Sequence, residues 1–341
     1  MRERGFSPDE QDRISTLWRI FREDYKVPVH KSSENLDLDD LGNIFVRANF
    51  ADTRVRGTDI YSTMIAIAYP GLVKELRDFC AGLSISIDYG ILIRTFVAFI
   101  TDGNVKLASR VFDQAKKLKE ILEHKKSELV NVAKEVKECV LRSVEILQKN
   151  GIISLPTENV IPVMAYYLHK RGTISPEEEE GLFKWFILAS FFRRYSASVE
   201  TRLNEDLGTI RNGGNYRNLI ENIKRREGDL KERILMYIDE GEHDQTILYA
   251  LLKQLNARDF LSGEPLTQTN STLHHIFPRK YLVELGYTRL LDDIGNLTLL
   301  TYHSNSKLLD DLPKTTYKKF HQKYLDLTIY LKTKSYGNLK K

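Results

Sequence analysis

Most of the chain alternates apolar and polar positions at helical spacing. Pro8 and the acids after it open a segment in which Ile14, Leu17, Ile20 and Phe21 share one face, so a helix is predicted there. A polar stretch broken by Pro28 follows, and residues 37–71 then read as helix, turn and helix. Thr58 and Asp59 suit the start of the second of these helices, and Pro70-Gly71 its end. "DYGILIRTFVAFITDGN" is apolar almost throughout and is closed by Asp102-Gly103. From Lys106 to Lys149 the pattern is long, charged and periodic, with Leu118, Ile121 and Leu122, then Val130, Val132, Val136, Val140 and Leu141. Two long helices are expected, arranged as a helical hairpin. A second helical block runs from about Val160 to Phe192. Its acidic run Glu177 to Glu180 follows Ser175-Pro176, where anions suit a helix N-terminus. Trp185, Phe183, Phe186, Phe191 and Phe192 are its candidate core.

After Ser262 the texture changes to short β-branched runs, turns and histidines. "STLHHIF" and Leu297 to Thr301 suit strands, with a turn at Asp292 to Gly295 between them, a second turn after Thr301 and then a short helix ending near Pro313. The expected fold class is therefore mainly α, a multi-helix body with a small C-terminal ββα element. The division expected is residues 1–255 for the body and 256–341 for the C-terminal domain.

Composition narrows this only slightly. The chain has 341 residues, 42% hydrophobic and 29% charged, as a globular protein does. Its formal charge of +4 permits nucleic acid as a partner without requiring it. Cys80 and Cys139, the only cysteines, stand far apart and outside any CxxC pair, which speaks against a disulfide framework or a thiolate zinc site and fits a reducing cytoplasm. The charged N-terminus has no apolar run behind it, and no stretch of about 18 apolar residues occurs. A membrane partner is not expected.

The candidate chemistry lies between residues 272 and 307. His274 and His275 are adjacent, Asn296 follows 21 positions after His275, and Asn305 follows nine after Asn296. Phosphodiester hydrolysis needs a base for the attacking water, a divalent cation to offset charge at phosphorus and on the leaving oxygen, and a group that holds the base in its productive tautomer. Adjacent residues at a strand end point to opposite sides. One histidine can then hold metal while the other faces water. Asn305 can bring an amide oxygen to the same ion, and Asn296 can fix the base ring. Lys307 can meet phosphate as a point charge. Between Lys314 and Lys341 eight lysines stand against one acid, Asp326, with five aromatics interleaved. A solvated helix face would account for this stretch alone; beside such a site it suits backbone contacts that carry no sequence information.

"LHHIFP", "IGNLTLL" and "HSNSK" resemble the HNH (ββα-metal) endonuclease motif, in the version found in the C-terminal nuclease domain of GmrSD-type restriction endonucleases, which act on modified or foreign DNA. "LGNIFVRANFADTRVRGTDIYSTMIAIAYPG" resembles that family's N-terminal region. "LFKWFILASFFRRYSASVETRLNEDL" resembles its helical middle, where "RYS" and a later "ED" recur; Arg193, Arg194 and Tyr195 there could touch phosphate, with a satisfied surface cluster as an equal reading. By this resemblance His275 is the general base and Asn296 the central structural Asn, with His274 and Asn305 as metal ligands. Arg279, Lys307, Lys314, Lys318 and Lys319 are the candidate nucleic-acid contacts. The resemblance implies DNA as substrate and Mg²⁺ or Mn²⁺ as cofactor. Relatives usually carry aspartate where His274 stands, and a neutral imidazole shifts the balance from Mg²⁺ toward Mn²⁺, Ni²⁺ or Zn²⁺. The glycines that follow the Asn of the N-terminal motif are replaced by "NFADT". The upstream "DGQQR"-like motif tied to nucleotide hydrolysis is missing, so the chain is expected to begin inside that region and NTP dependence is not assigned. Two rivals stand beside the nuclease reading: a catalytically silent DNA-binding or defence-complex subunit, and a structural zinc in the His/Asn cluster. Pairing with a second copy or with a defence-complex partner stays open.

Overall fold

A computed structural model of the chain describes residues 7–19, 22, 57–107, 111–239, 249–250, 257–267, 269–288, 291–292 and 296–308. The chain separates into two units, Met1–Ala48 and Asn49–Lys341. In the first, helix α1 covers Pro8–Arg19. Ser7 and Glu10 exchange hydrogen bonds at its start, and the Arg22 guanidinium lies 5.0 Å from the centre of the Trp18 ring. Arg47 and Asn49 of "IFVRAN" lie outside the described residues.

The second unit is mainly helical. Its body comprises α2 (Gly57–Ala68), α3 (Leu72–Ala81), α4 (Tyr89–Ile100), α5 (Val111–His124), α6 (Leu129–Lys149), α7 (Val160–Arg171), α8 (Pro176–Phe191), α9 (Val199–Arg211), α10 (Tyr216–Glu227) and α11 (Leu230–Asp239). Helices α4 and α7 form its centre. Both are apolar nearly all round, the signature of a helix enclosed on every side, and α4 from Ile91 to Ile93 and α7 from Val160 to Leu168 are buried throughout. They pack on one another; α2, α3 and α6 surround α4, and α6, α8 and α9 surround α7. Asp88 caps α4 by accepting a hydrogen bond from the Gly90 N–H, and Gly103, at φ +78°, turns the chain away after it.

Helices α5 and α6 do not make the expected hairpin partnership. A short 3₁₀ turn, Lys126–Glu128, joins them, and α5 packs chiefly on α2 whereas α6 packs chiefly on α7. Periodicity marks an apolar face but does not say what covers it. The acidic run behaves as its position suggests: Ser175 caps α8, Pro176 occupies its first turn, and Glu177 to Glu179 follow. Trp185, Phe183, Phe186 and Phe192 are core.

"RRYS" turns inward. Arg194 and Tyr195 are buried, at 2% and 3% exposure. The Arg194 guanidinium donates through Nε and Nη2 to both oxygens of the fully buried Asp206, and Nη2 also reaches Glu205. The Tyr195 hydroxyl and the Asn222 amide complete the carboxylate's partners. The "RY" and "ED" of the helical middle are thus the two halves of one buried network, and a phosphate contact at Arg194 is replaced by a structural ion pair.

The C-terminal element begins with β1 (Ser271–His275), continues through α12 (Arg279–Glu284), and closes with β2 (Leu297–Thr301) and α13 (Tyr302–Leu308). The strands pair antiparallel, with Ser271 opposite Thr301 and His275 opposite Leu297. Two strands alone are marginal in water, and α13 packs on both of them. Among the described residues no helix is long and apolar enough to cross a membrane.

Candidate functional site

The strand alternation divides the two histidines. His274 is 7% exposed and faces α13. His275, its side chain 28% exposed, faces the opposite way toward Asp292. Helix α13 follows β2 without a loop, because Thr301 accepts a hydrogen bond from the Ser304 N–H and the Tyr302 N–H donates to the Asn270 carbonyl. That fixes Asn305 across from β1, and its Oδ1 lies 2.7 Å from His274 Nδ1. An amide oxygen only accepts, so in this pairing Nδ1 carries the proton. Burial lowers the pKa of His274, more than the Asn305 hydrogen bond raises it, and the charge of His275 lowers it further. The ring is therefore neutral in the physiological range.

His275 donates from Nε2 to Asp292 Oδ1 at 2.9 Å, and Asp292 Oδ2 forms an ion pair with Arg279, 3.0 Å from its Nη2. Nothing in the spacing of Asp292 announces this role. It reads as one of two aspartates opening a turn, seventeen positions from the histidine it meets. Asn296 is 6% exposed and its amide is engaged by backbone. Its Oδ1 accepts from the Phe277 N–H at 2.7 Å, and its Nδ2 donates to the Phe277 and Leu291 carbonyls, each at 3.1 Å. It ties the exit of β1 to the approach of β2, and the side chain that touches the His275 ring is Asp292.

A further residue outside the motif sets the hairpin. Asp259 is 1% exposed. Its Oδ2 accepts from the Thr301 N–H and hydroxyl, both at 2.8 Å, and its Oδ1 accepts from the Leu261 and Ser262 N–H groups. Burial pushes this carboxyl up, but the backbone N–H groups of Ser262 and Thr301 and the hydroxyls of Ser304 and Thr301 outweigh burial and bring its pKa down to about 2. Asp259 thereby anchors the end of β2, from which α13 carries Asn305.

His274, His275 and Asn305 open onto one cleft of about 370 Å³, with Leu273 and Pro278 as its apolar wall and Arg279 and Lys280 at its mouth. Lys280 had no motif to mark it. Lys307 lies exposed in the last turn of α13, and His303 is exposed on the same helix. Lys314, Lys318 and Lys319 lie outside the described residues. Among the described residues no group of three or more His, Cys, Asp or Glu side chains converges as a metal cage, so the donor pair at the cleft is an imidazole and an amide. With the ring in its other neutral tautomer, Nδ1 and Oδ1 both present lone pairs. Two neighbouring ligands of one octahedral ion, each about 2.1 Å from it, stand about 3 Å apart. The observed separation suits such a pair. The donors also suit an open, hydrated ion better than a closed structural zinc, which takes four protein ligands.

Residues 226–340 match the family model for the C-terminal domain of GmrSD restriction endonucleases. No curated protein and no solved structure matches the chain.

Proposed function

We propose, from the place of residues 226–340 in the C-terminal domain family of GmrSD restriction endonucleases, that the chain is a metal-dependent endonuclease hydrolysing DNA phosphodiester bonds in restriction of modified or foreign DNA. The observation that carries this reading is the convergence of two histidines and Asn305, with two cations, on one cleft.

The residues divide the work as follows. His275, its Nε2–H engaged by Asp292, keeps its lone pair on Nδ1 and takes the proton of the attacking water there. The water oxygen bonds to phosphorus as the P–O bond to the leaving oxygen breaks, the leaving oxygen takes a proton from solvent, and Arg279 and Lys280 at the mouth hold the phosphate in register. His274 and Asn305 would hold the divalent cation, which supplies charge to offset the anionic phosphorus centre and the leaving oxygen. Asn296 keeps the β1 exit, and with it the His275 backbone, in place. Lys307 extends the cationic surface, and Lys314, Lys318 and Lys319 add backbone affinity. The body of residues 1–255 selects or presents DNA to the domain of residues 256–341, alone or paired with a second copy or a defence-complex partner.

The test is nicking of supercoiled plasmid, unmodified and modified, with Mg²⁺, Mn²⁺, Ni²⁺ or Zn²⁺. Wild type is expected to nick with at least one metal, and His275→Ala to lose about 100-fold or more. Equal inactivity of the two proteins with every metal and both DNAs sinks the enzymatic reading and leaves the silent DNA-binding subunit.

A further inference from the structure

We infer that Asp292 is the positioning residue for the base, and that Arg279 fixes which way Asp292 can serve it. This rests on the reading of His275 as the base. One carboxylate spans two partners, Oδ1 accepting from His275 Nε2 at 2.9 Å and Oδ2 ion-paired with Arg279, 3.0 Å from its Nη2. An ionised carboxylate has no proton to give, so Nε2 must carry the hydrogen, and in the neutral ring the lone pair is then on Nδ1. The His275 side chain is 28% exposed, and among the described residues Asp292 is the side chain hydrogen-bonded to its ring, so without Asp292 its tautomer is set by solvent. The pair is also half open to water: Asp292 is 48% exposed and Arg279 57%. Exposed ion pairs add little to stability. The value of this bridge therefore lies in orientation.

The two ends of Asp292 are not equivalent, and that makes the arrangement testable. A guanidinium only donates, whereas a neutral imidazole nitrogen either donates or accepts. In Asp292→Asn, Arg279 claims the single amide oxygen. The amide nitrogen then faces His275 and donates to Nε2, which moves the ring proton to Nδ1. The base is left with its lone pair on the wrong side while the fold and the charge of Arg279 remain. Removing Arg279 as well frees the amide to turn over, offer its oxygen to Nε2–H, and restore the original tautomer. A side chain that merely filled space would give no such sign reversal.

The experiment combines ¹⁵N NMR of the His275 imidazole in the full chain with single-turnover nicking at saturating DNA and a DNA-binding measurement. Wild type is expected to show Nε2–H with Nδ1 unprotonated. Asp292→Asn is expected to show Nδ1–H, to nick about 10–100-fold more slowly, and to bind DNA as wild type does. Asp292→Ala should slow nicking by a similar factor without a single dominant tautomer. The Asp292→Asn/Arg279→Ala double variant should regain Nε2–H and nick faster than Asp292→Asn when each is scaled to its own parent, Arg279→Ala or wild type. Nδ1–H in wild type, or an unchanged tautomer in Asp292→Asn, overturns the inference. So does wild-type nicking by both Asp292 variants where His275→Ala is dead. If wild type itself nicks nothing, the nuclease reading fails, yet the NMR comparison still decides whether Asp292 sets the ring.

Discussion

On the proposed reading, the choice of metal turns on His274. Its Nδ1 and the Asn305 amide oxygen are already adjacent, but a neutral imidazole brings no charge to a hard cation. The expected outcome of His274→Asp is a shift of activity toward Mg²⁺, read as an increase of about 10-fold or more in the Mg²⁺-to-Mn²⁺ ratio of nicking rates; an unchanged ratio would mean that position 274 is not a ligand. The two histidines and Asn305 were legible because chemistry of this kind needs those residue types in that order. Asp292 was not. Its contact with His275 spans seventeen residues and a loop, and a loop has no period from which a partner can be read. Arg194 was misleading for a related reason. A sequence shows a charge but not the counter-charge, and Asp206, one helix further on, is what allows the guanidinium to be buried.

At the scale of the element, β1, β2 and α13 lie where the alternating pattern and the turn residues put them, since a period of two admits only one set of inward positions. What the pattern left out is what holds the element closed. Asn296→Ala strips the Phe277 N–H and carbonyl of buried partners, and a cost of about 1–3 kcal/mol is expected in denaturant unfolding of the C-terminal element. Asp259 gives a pH signature. Its folded pKa, about 2, lies below the ordinary aspartate value of 3.8. A depressed carboxyl stabilises the fold at pH above its unfolded value, and that contribution fades as pH falls from about 4 toward 2. The contribution at neutral pH is about 2 kcal/mol. Asp259→Asn should lower stability at pH 7 and flatten the loss between pH 4 and 2, as melting followed across that range would show. An equal slope in both proteins would remove Asp259 from the account.

For the whole molecule, the helical body is organised around α4 and α7, whose all-round apolarity accounts for their burial. Neighbour choice was not predictable, as α5 and α6 show: similar amphipathic faces fit several partners. The network joining Arg194, Tyr195, Asp206 and Asn222 ties the end of α8 to α9 and α10. Arg194→Met leaves the Asp206 carboxylate buried without its cation, and a loss of about 3–5 kcal/mol in unfolding free energy is expected. A loss below about 1 kcal/mol would show that water reaches the carboxylate.

Asp259 finally bears on how portable the domain is. The clamp on the end of β2 comes from a residue twelve positions ahead of β1, so the smallest transplantable unit is larger than the motif that advertises it. A graft cut at Thr267 would carry both histidines and both asparagines yet leave Thr301 without its anchor. Proteolytic nicking between Asp259 and Ser271 would likewise disarm the cleft while every residue lining it stayed covalently in place.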